Sequence, residues 1–519
     1  MKIKHLILAF GGASLLAACN LDEYPYGFYS EDNFYKTEAD AESAVNYIYD
    51  AINYIEYSRS IVFLGDMNTD DMEPKGDAAA ANKELDGWKI NNFKTNTTLG
   101  NFYKYSYITI NRANAVIKKV PGMNIDEGRR NRFLGEAYFM RAYSYFNLAR
   151  NFGCVPVHTT PVETLEDTAV PAAESLDAMW KLVIEDFKTA GTLLPFFAAP
   201  ETGRADRAAA YGMLAKAYLY IASAKESLMA KAYLTIASSK EHNVHRYTEM
   251  RREPRIMYDS AAYWAGKVVR DYKNVYDFDT NLRDIYDVDK PTGPEHIFIM
   301  SMDRTGESEG QYSKISKMYL PYVSGATIYL KQGDSDQMVP THDGWGEYRT
   351  ALSFYDAFAS GDRRHDWLIV DKVYDAAGNV VASTADGKLN YPFCRKFIDP
   401  NFSGDKTSTR PYLLRYSDVA LTYAEAAGPT VKAYELVNFI RNRAGLGDLE
   451  PGLDKETFRE RVMDERRFEL AFEGNRCYDL RRWNRLHTDI AEAKGQGLSA
   501  EQMVFYPIPS VESDLNPNL

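Results

Sequence analysis

Apolar residues recur at helical spacing along most of this chain. From Ala39 to Ile55, the residues Ala44, Ile48, Ala51 and Ile55 share one face. Phe102 to Val120 reads as a second helix, stopped by Pro121-Gly122. Asp126 to Phe152 reads as a third. Its stripe is Phe133, Ala137, Met140, Tyr143 or Ser144, and Leu148, with Gly153 and Pro156 as stop signals. Ser175, a candidate N-cap, opens a fourth that runs to Leu194, before Pro195. A fifth begins at Arg204 and contains a repeat. Residues 215–226, AKAYLYIASAKE, return at 230–241 as AKAYLTIASSKE, a period of 15 residues. No Gly or Pro lies between Met213 and Glu253, so the favoured reading is one helix lengthened by roughly 22 Å. A turn near Ser227 and two stacked helices is the alternative. Ser260 to Tyr272 is a further helix.

The pattern changes over residues 273–410. Gly, Asp, Pro and Ser are frequent there, and apolar stretches such as His296 to Met300 and Phe393 to Phe397 are short. This predicts loops and small hairpins. One hairpin pairs Val370 to Tyr374 with Val380 to Ser383 across Asp375-Ala376-Ala377-Gly378-Asn379. Helices return at Tyr412 to Ala427, Val431 to Ala444 and Lys455 to Glu473. The fold class is therefore mostly α. Paired amphipathic helices with short loops suggest tetratricopeptide-like hairpins, although a strict 34-residue repeat is not legible. The expected organisation is a helical region over 39–272 and a second region over 273–519, loop-rich to about residue 410 and helical beyond.

The N-terminus belongs to neither region. Lys2 and Lys4 precede an apolar stretch from Leu6 to Ala18 that is too short to span a bilayer. Residues 1–18 read as a signal peptide. The stretch ends in Leu16-Ala17-Ala18-Cys19, which resembles the bacterial lipobox, where cleavage precedes a cysteine whose thiol carries lipid. Cys19 is thus the expected lipidation site, an anchor that several acyl chains make stable. Residues 19–38 form the anchored segment. Asp22 and Glu23 resemble the acidic signal that sends some Bacteroidetes lipoproteins to the outer face of the outer membrane.

Composition narrows the partners. The net charge is −12 and no basic tract appears, which argues against nucleic acid. Cys154, Cys394 and Cys477 are scattered, so they form no disulfide framework or zinc site, and whether two of them pair stays open. No cofactor or metal is expected. Tyrosine is abundant, with 38 residues beside 25 Phe and 6 Trp. Its apolar face and polar tip suit wet binding surfaces, although most tyrosines simply pack at helix edges.

Several strings go beyond generic helix. They are Asn111-Arg-Ala-Asn114; GEAYFMRAYSYFNLARNFGCVPV from Gly135; Gly203-Arg204 with AAAYGMLAKAYLY; and Leu413-Leu-Arg-Tyr416 with Val419 to Ala426. Further along come Val437 to Gly445, then Asp464-Glu-Arg-Arg-Phe-Glu-Leu-Ala-Phe-Glu-Gly474 with Arg476 and Tyr478 to Trp483, and finally Tyr506-Pro-Ile-Pro509 and Asn516-Pro-Asn-Leu519. Together, and in order, these resemble the SusD/RagB family of nutrient-binding outer-membrane lipoproteins. The 15-residue duplication and Cys477 depart from the family pattern. The resemblance implies a SusD-like helical scaffold and a loop-rich half. It also implies surface exposure, binding of an oligosaccharide, and delivery to a SusC-like TonB-dependent transporter as its lid, without catalysis. The RagB branch implies oligopeptide cargo as the alternative. A glycoside hydrolase would need two carboxylates across the scissile bond, and no pair stands out. On physical grounds Glu465, Arg466, Arg467, Glu469, Glu473 and Arg476 are read as lacing helices together rather than as a ligand site.

A glycan site wants exposed aromatic rings on loops, with amide, carboxylate or guanidinium groups beside them. Two regions qualify: Gly65 to Asn101 and Tyr312 to Tyr348. The expected ligand contacts are Asp66, Asn68 and Trp88 in the first, and Tyr319, Tyr322 and Trp345 in the second. Trp345, flanked by Gly344 and Gly346, is equally suited to packing. The acidic run Asp66 to Asp71 offers the oxygens calcium prefers but lacks EF-hand spacing, so sugar-hydroxyl acceptors or a solvated loop is the simpler reading. Trp180, Trp264 and Trp483 are expected in the core.

Overall fold

The computed structural model describes residues 34–197, 199–201, 203–231, 247–323, 327–331 and 337–519. Cys19 and most of the second copy of the 15-residue repeat lie outside these residues. The anchor and the one-helix-or-two question therefore keep their sequence-based form.

The first half is a run of helices, each set by local chemistry. Helix α1 (Glu38–Asn53) opens with a capping box in which Thr37 and Asp40 satisfy each other's backbone N–H groups. It is followed by α2 (Ile55–Asp66) and the short α3 (Ala80–Asp86). In α4 (Thr97–Lys119), Asn96 Oδ1 accepts from Thr98 and Leu99 N–H. Asp126 caps α5 (Glu127–Phe152), which ends at Gly153 with φ +73°. Ser175 caps α6 (Leu176–Leu193), as its position in the sequence suggests.

Helix α7 (Arg207–Lys231) differs from the others. Its Ala208, Ala209, Ala210, Leu214, Ala217 and Ile221 are all buried, and the one charged residue of that stretch, Lys216, pairs with the buried Asp418. A helix buried on nearly every side belongs in the centre of a fold, and α7 packs on α6 and on α8 (Pro254–Asp271). Helix α8 starts six residues before the expected Ser260, because Pro254 fits the first helical turn.

The second half inserts short strands among loops. Strand β1 (Met72–Pro74), from the first half, pairs antiparallel with β5 (Tyr348–Thr350). β2 (His296–Ile299) pairs with β10 (Tyr412–Arg415). A four-stranded sheet runs in the order β4 (Met338–His342), β3 (Thr327–Lys331), β7 (Lys372–Tyr374), β8 (Val380–Ser383). The expected β7–β8 hairpin is present, closed by Asp375, whose Oδ1 accepts the Ala377 and Asn379 N–H groups. A further pair joins β6 (Ile369–Val370) to β9 (Phe393–Cys394).

Two helical readings need correction. Tyr412 to Ala427 is a buried strand, β10, followed by helix α9 (Tyr416–Ala427). The strand is buried on both sides, so it shows no alternation to distinguish it from helix. The last long helix ends at Glu469 rather than Glu473, because Phe472 and Gly474 take positive φ. Helices α9, α10 (Val431–Arg443), α11 (Lys455–Glu469) and α12 (Arg476–Arg482) complete the scaffold. One hydrophobic core runs from Ala41 to Tyr506 and crosses the 272/273 division without a break. A small satellite core lies under the four-stranded sheet. No helix of the described residues is long and apolar enough to cross a membrane.

Candidate functional site

The fold sorts the polar residues into two groups. The first is a buried ionic seam. Arg415 reaches Glu295 at 2.7 Å, Glu469 at 2.9 Å and Glu473 at 2.8 Å. Arg443 pairs with Glu295 and, at 2.7 Å, with Glu469. Arg364 bridges Asp362 at 2.7 Å and Glu465 at 2.6 Å, and Lys396 reaches Glu473 at 2.7 Å. Burial alone would favour protonation of Glu469. The charges of Arg443, Arg415 and Arg364 outweigh that and hold its carboxyl well below the usual range. A second knot joins Arg466 to Asp418 at 3.0 Å and to Asp479 at 3.1 Å.

Four of the six expected ligand contacts belong to this interior, which corrects the expectation of exposure. The Asp66 carboxylate caps the turn before α12, accepting the N–H groups of Gly474 at 2.6 Å and of Asn475 and Arg476 at 3.2 Å. Burial raises its pKa to about 7 against those hydrogen bonds, with the Asp71 and Glu473 charges adding to the rise. Asn68 Nδ2 donates to the Tyr506 hydroxyl at 2.5 Å. Trp88 is 1% exposed, and its Nε1 donates to Asn68 O at 3.1 Å. Tyr319 is buried against Phe397, with ring centroids 5.3 Å apart. The loop after α2 turns inward because its acids meet one buried and one half-buried guanidinium group. Arg476 grips Asp70 with two bonds of 2.8 Å, and Arg467 reaches Asp70 and Asp71 at 2.8 Å each. Those cations supply the positive charge that a calcium ion would bring. Among the described residues no cluster of His, Cys, Asp or Glu is arranged to hold a metal, and Cys154, Cys394 and Cys477 are buried free thiols.

The remaining two residues, Trp345 and Tyr322, reach solvent. Trp345 is 37% exposed and Tyr322 is 70% exposed. Their loops are tied together: Gly344 N–H donates to Pro321 O and Gly346 N–H to Leu320 O, each at 2.8 Å. The glycines make this possible. A Cβ on Gly344 would lie 1.8 Å from Leu320 O, and Gly346 has φ +57°. Trp345 N–H donates to Lys317 O at 2.7 Å, so the indole sits on a fixed backbone.

Trp345 lines a cleft of about 340 Å³. Helix α2 contributes Arg59 and Phe63, the start of α3 contributes Asn82, and the first turns of α4 contribute Thr97, Thr98 and Asn101. Glu347 and Tyr348 close it. The β1–β5 pairing brings the walls together, joining the two sequence regions that were singled out separately. Asn82 Nδ2 donates to the Tyr348 hydroxyl at 3.0 Å, and Lys75 holds Glu347 at 3.3 Å. Burial lowers the Arg59 pKa. Arg59, Asn82, Thr98 and Asn101 were not legible as site residues. Asn82 and Thr98 sit in the first turn of their helices and Arg59 and Asn101 one turn further in, and the β1–β5 pairing brings them to the same cleft as Trp345.

Two family models match this chain. One, described as "SusD family", covers residues 294–519, and one described as "Starch-binding associating with outer membrane" covers residues 26–219. The chain belongs to the SusD/RagB family. "SusD-like protein P2" of Formosa agariphila is 25% identical, with 100% of this chain and 98% of that protein covered. A "SusD-like protein" of Bacteroides ovatus is 25% identical, covering 94% and 84%. Among solved structures, a "Laminarin binding SusD-like protein" superposes with TM-score 0.72 at 23% identity, over 93% of this chain and 98% of that one. "Surface glycan-binding protein A from Bacteroides thetaiotaomicron in complex with laminarihexaose" does so with TM-score 0.68 at 19% identity, over 92% and 97%. At these identities the superpositions establish a shared SusD-like, mostly helical fold.

Proposed function

We propose that this SusD-like protein binds oligosaccharide at the cell surface, in the Trp345 cleft, without catalysis. It then passes the sugar to a SusC-like TonB-dependent transporter that it covers as a lid. Cys19 carries the lipid that holds it on the outer leaflet of the outer membrane. The observation that carries the reading is an exposed indole on a rigid Gly-Trp-Gly loop, at a cleft lined by amide, hydroxyl and guanidinium groups. Such a cleft suits a sugar ring, whose C–H face packs on an aromatic while its hydroxyls pair with polar neighbours. The family description of starch binding, and the laminarin and laminarihexaose that the structural neighbours are named for, support a glycan as cargo.

The test is calorimetry on the detergent-solubilised protein with laminari- and malto-oligosaccharides and a mixed peptide pool. One glycan class should bind, and Trp345→Ala should weaken it at least tenfold, about 1.4 kcal/mol, with unchanged thermal stability. Binding of peptides alone, or of glycan with equal affinity in Trp345→Ala, would overturn the reading.

A further inference from the structure

A second cleft, of about 590 Å³, shares no lining residue with the first. Its walls are the 281–289 loop, strand β4, Trp367 and the segment from Arg395 to Asn401. Three aspartates line it, and each already has its partners. Asp284 is held by Lys290 at 2.5 Å and by Asn281 Nδ2 at 2.8 Å. Asp289 accepts from Asn401 Nδ2 at 3.0 Å and faces Arg304 at 3.4 Å. Asp287 accepts the Asp289 N–H at 3.0 Å.

The two arginines of this cleft are in the opposite situation. Among the described residues, no carboxylate lies within ion-pair distance of Arg283 or Arg395. Arg395 Nη1 donates to the Lys331 carbonyl. Arg283 lies 5.0 Å over the Trp367 ring, and its buried Nε has no hydrogen-bond partner among the described residues. Burial, and after it the Arg283 charge, push the Arg395 guanidinium down to about 10. Two half-buried like charges without a counter-ion are costly, and an oxyanion between them would remove that cost. Guanidinium forks match carboxylate and sulfate oxygens in pairs. The volume is that of an organic ligand site rather than of a bare ion. Val339, Pro340 and Ile398 supply apolar wall for the C–H face of a sugar.

We propose that this cleft is a second, charge-selective subsite that takes an acidic sugar unit, its uronate carboxylate or sulfate ester held by Arg283 and Arg395. The sugar part of this assignment rests on the glycan reading above; the charge selectivity rests on the arginine pair. The protein's overall charge of −12 repels such a ligand at long range, so the attraction is local, and added salt should weaken binding.

The experiment is calorimetry on the detergent-solubilised full chain with a galacturonate tetramer, a sulfated tetrasaccharide, neutral laminarihexaose and inorganic sulfate. One of the acidic oligomers should bind at least tenfold more tightly than inorganic sulfate. Arg283→Gln with Arg395→Gln should cost that oligomer at least tenfold, and Trp345→Ala should leave it unchanged. Gln337→Glu, an exposed change on the cleft rim, plants a competing carboxylate and should cost several-fold. Three results would overturn the proposal: neither acidic oligomer binds, inorganic sulfate binds as tightly as the oligomers, or both the arginine and the Gln337→Glu variants bind like the parent. Laminarihexaose reports on the Trp345 cleft alone, so its behaviour decides the first reading separately.

Discussion

The buried seam around Arg415 and the cleft beside Trp345 each hold arginine and glutamate and serve opposite ends. In the seam, Glu295, Glu469 and Glu473 each meet at least one cation within 3 Å and are shut from water. In the cleft, Asn101 and Thr98 stay partly exposed around an indole that water reaches. A buried charge must be matched by a specific partner at a fixed distance. A binding group must keep hydrogen-bonding capacity to offer. Recognisable sequence strings therefore mark the first kind of place, because pairing fixes several residues at once, while the second kind leaves little pattern.

The strongest way to break this contrast is Arg415→Met. It leaves three buried carboxylates short of positive charge, and losing one partner of a buried pair costs about 3–5 kcal/mol. Denaturant unfolding should show that loss. A cost under about 1 kcal/mol would mean that the seam is not what holds α11 to β10. Next is Trp88→Ala, which tests whether an aromatic first read as a ligand contact is a core residue. Emptying a buried indole site costs about 3–5 kcal/mol, and the folded fraction should bind glycan as before. Normal stability with lost binding would return Trp88 to the site.

The helical half of the fold was legible because α1, α4, α5 and α6 each carry an apolar stripe and an end signal. Strand β10 was not, because a strand buried on both faces shows no alternation. The seam was legible in outline. Glu465, Arg466, Glu469 and Glu473 read as structural from their spacing; the fold supplies Arg415, Arg443 and Arg364 as partners of the three acids, and Asp418 and Asp479 as partners of Arg466. Other quoted strings prove structural too. Asn114 Oδ1 accepts from Arg141 at 2.8 Å, and Asn516 Nδ2 donates to Val170 O at 2.7 Å. The site was legible only as two stretches of chain. Within them, Asp66, Asn68 and Trp88 look like binding residues by type. Their burial follows from Arg467, Arg476 and Tyr506, some 400 residues away, and no local pattern reports it.

The smallest effect concerns acids that lack the matching seen in the seam. Asp86, at the end of α3, is partly buried, and burial followed by the charges of Glu492 and Glu73 raises its carboxyl to about 7. Glu73 is raised by burial and by Glu492 as well, against the charge of Arg349. For a group raised in the folded state, ionisation works against folding. The folded protein takes up a proton as pH falls through about 7, whereas an unfolded carboxylate waits until about 4. The penalty is thus full above pH 7 and disappears between about pH 7 and 4. Asp86→Asn should raise stability at pH 8 by about 1 kcal/mol, once solvent screening at a partly exposed carboxylate is allowed for, and should be neutral near pH 4. The same substitution on a paired acid such as Asp418 should destabilise at pH 8, because Lys216 at 2.5 Å and Arg466 at 3.0 Å would lose their counter-charge. Thermal melts of both variants across that range separate the two kinds of acid. If Asp86→Asn and Asp418→Asn shift stability in the same direction at pH 8, matched and unmatched carboxylates are not energetically distinct in this molecule.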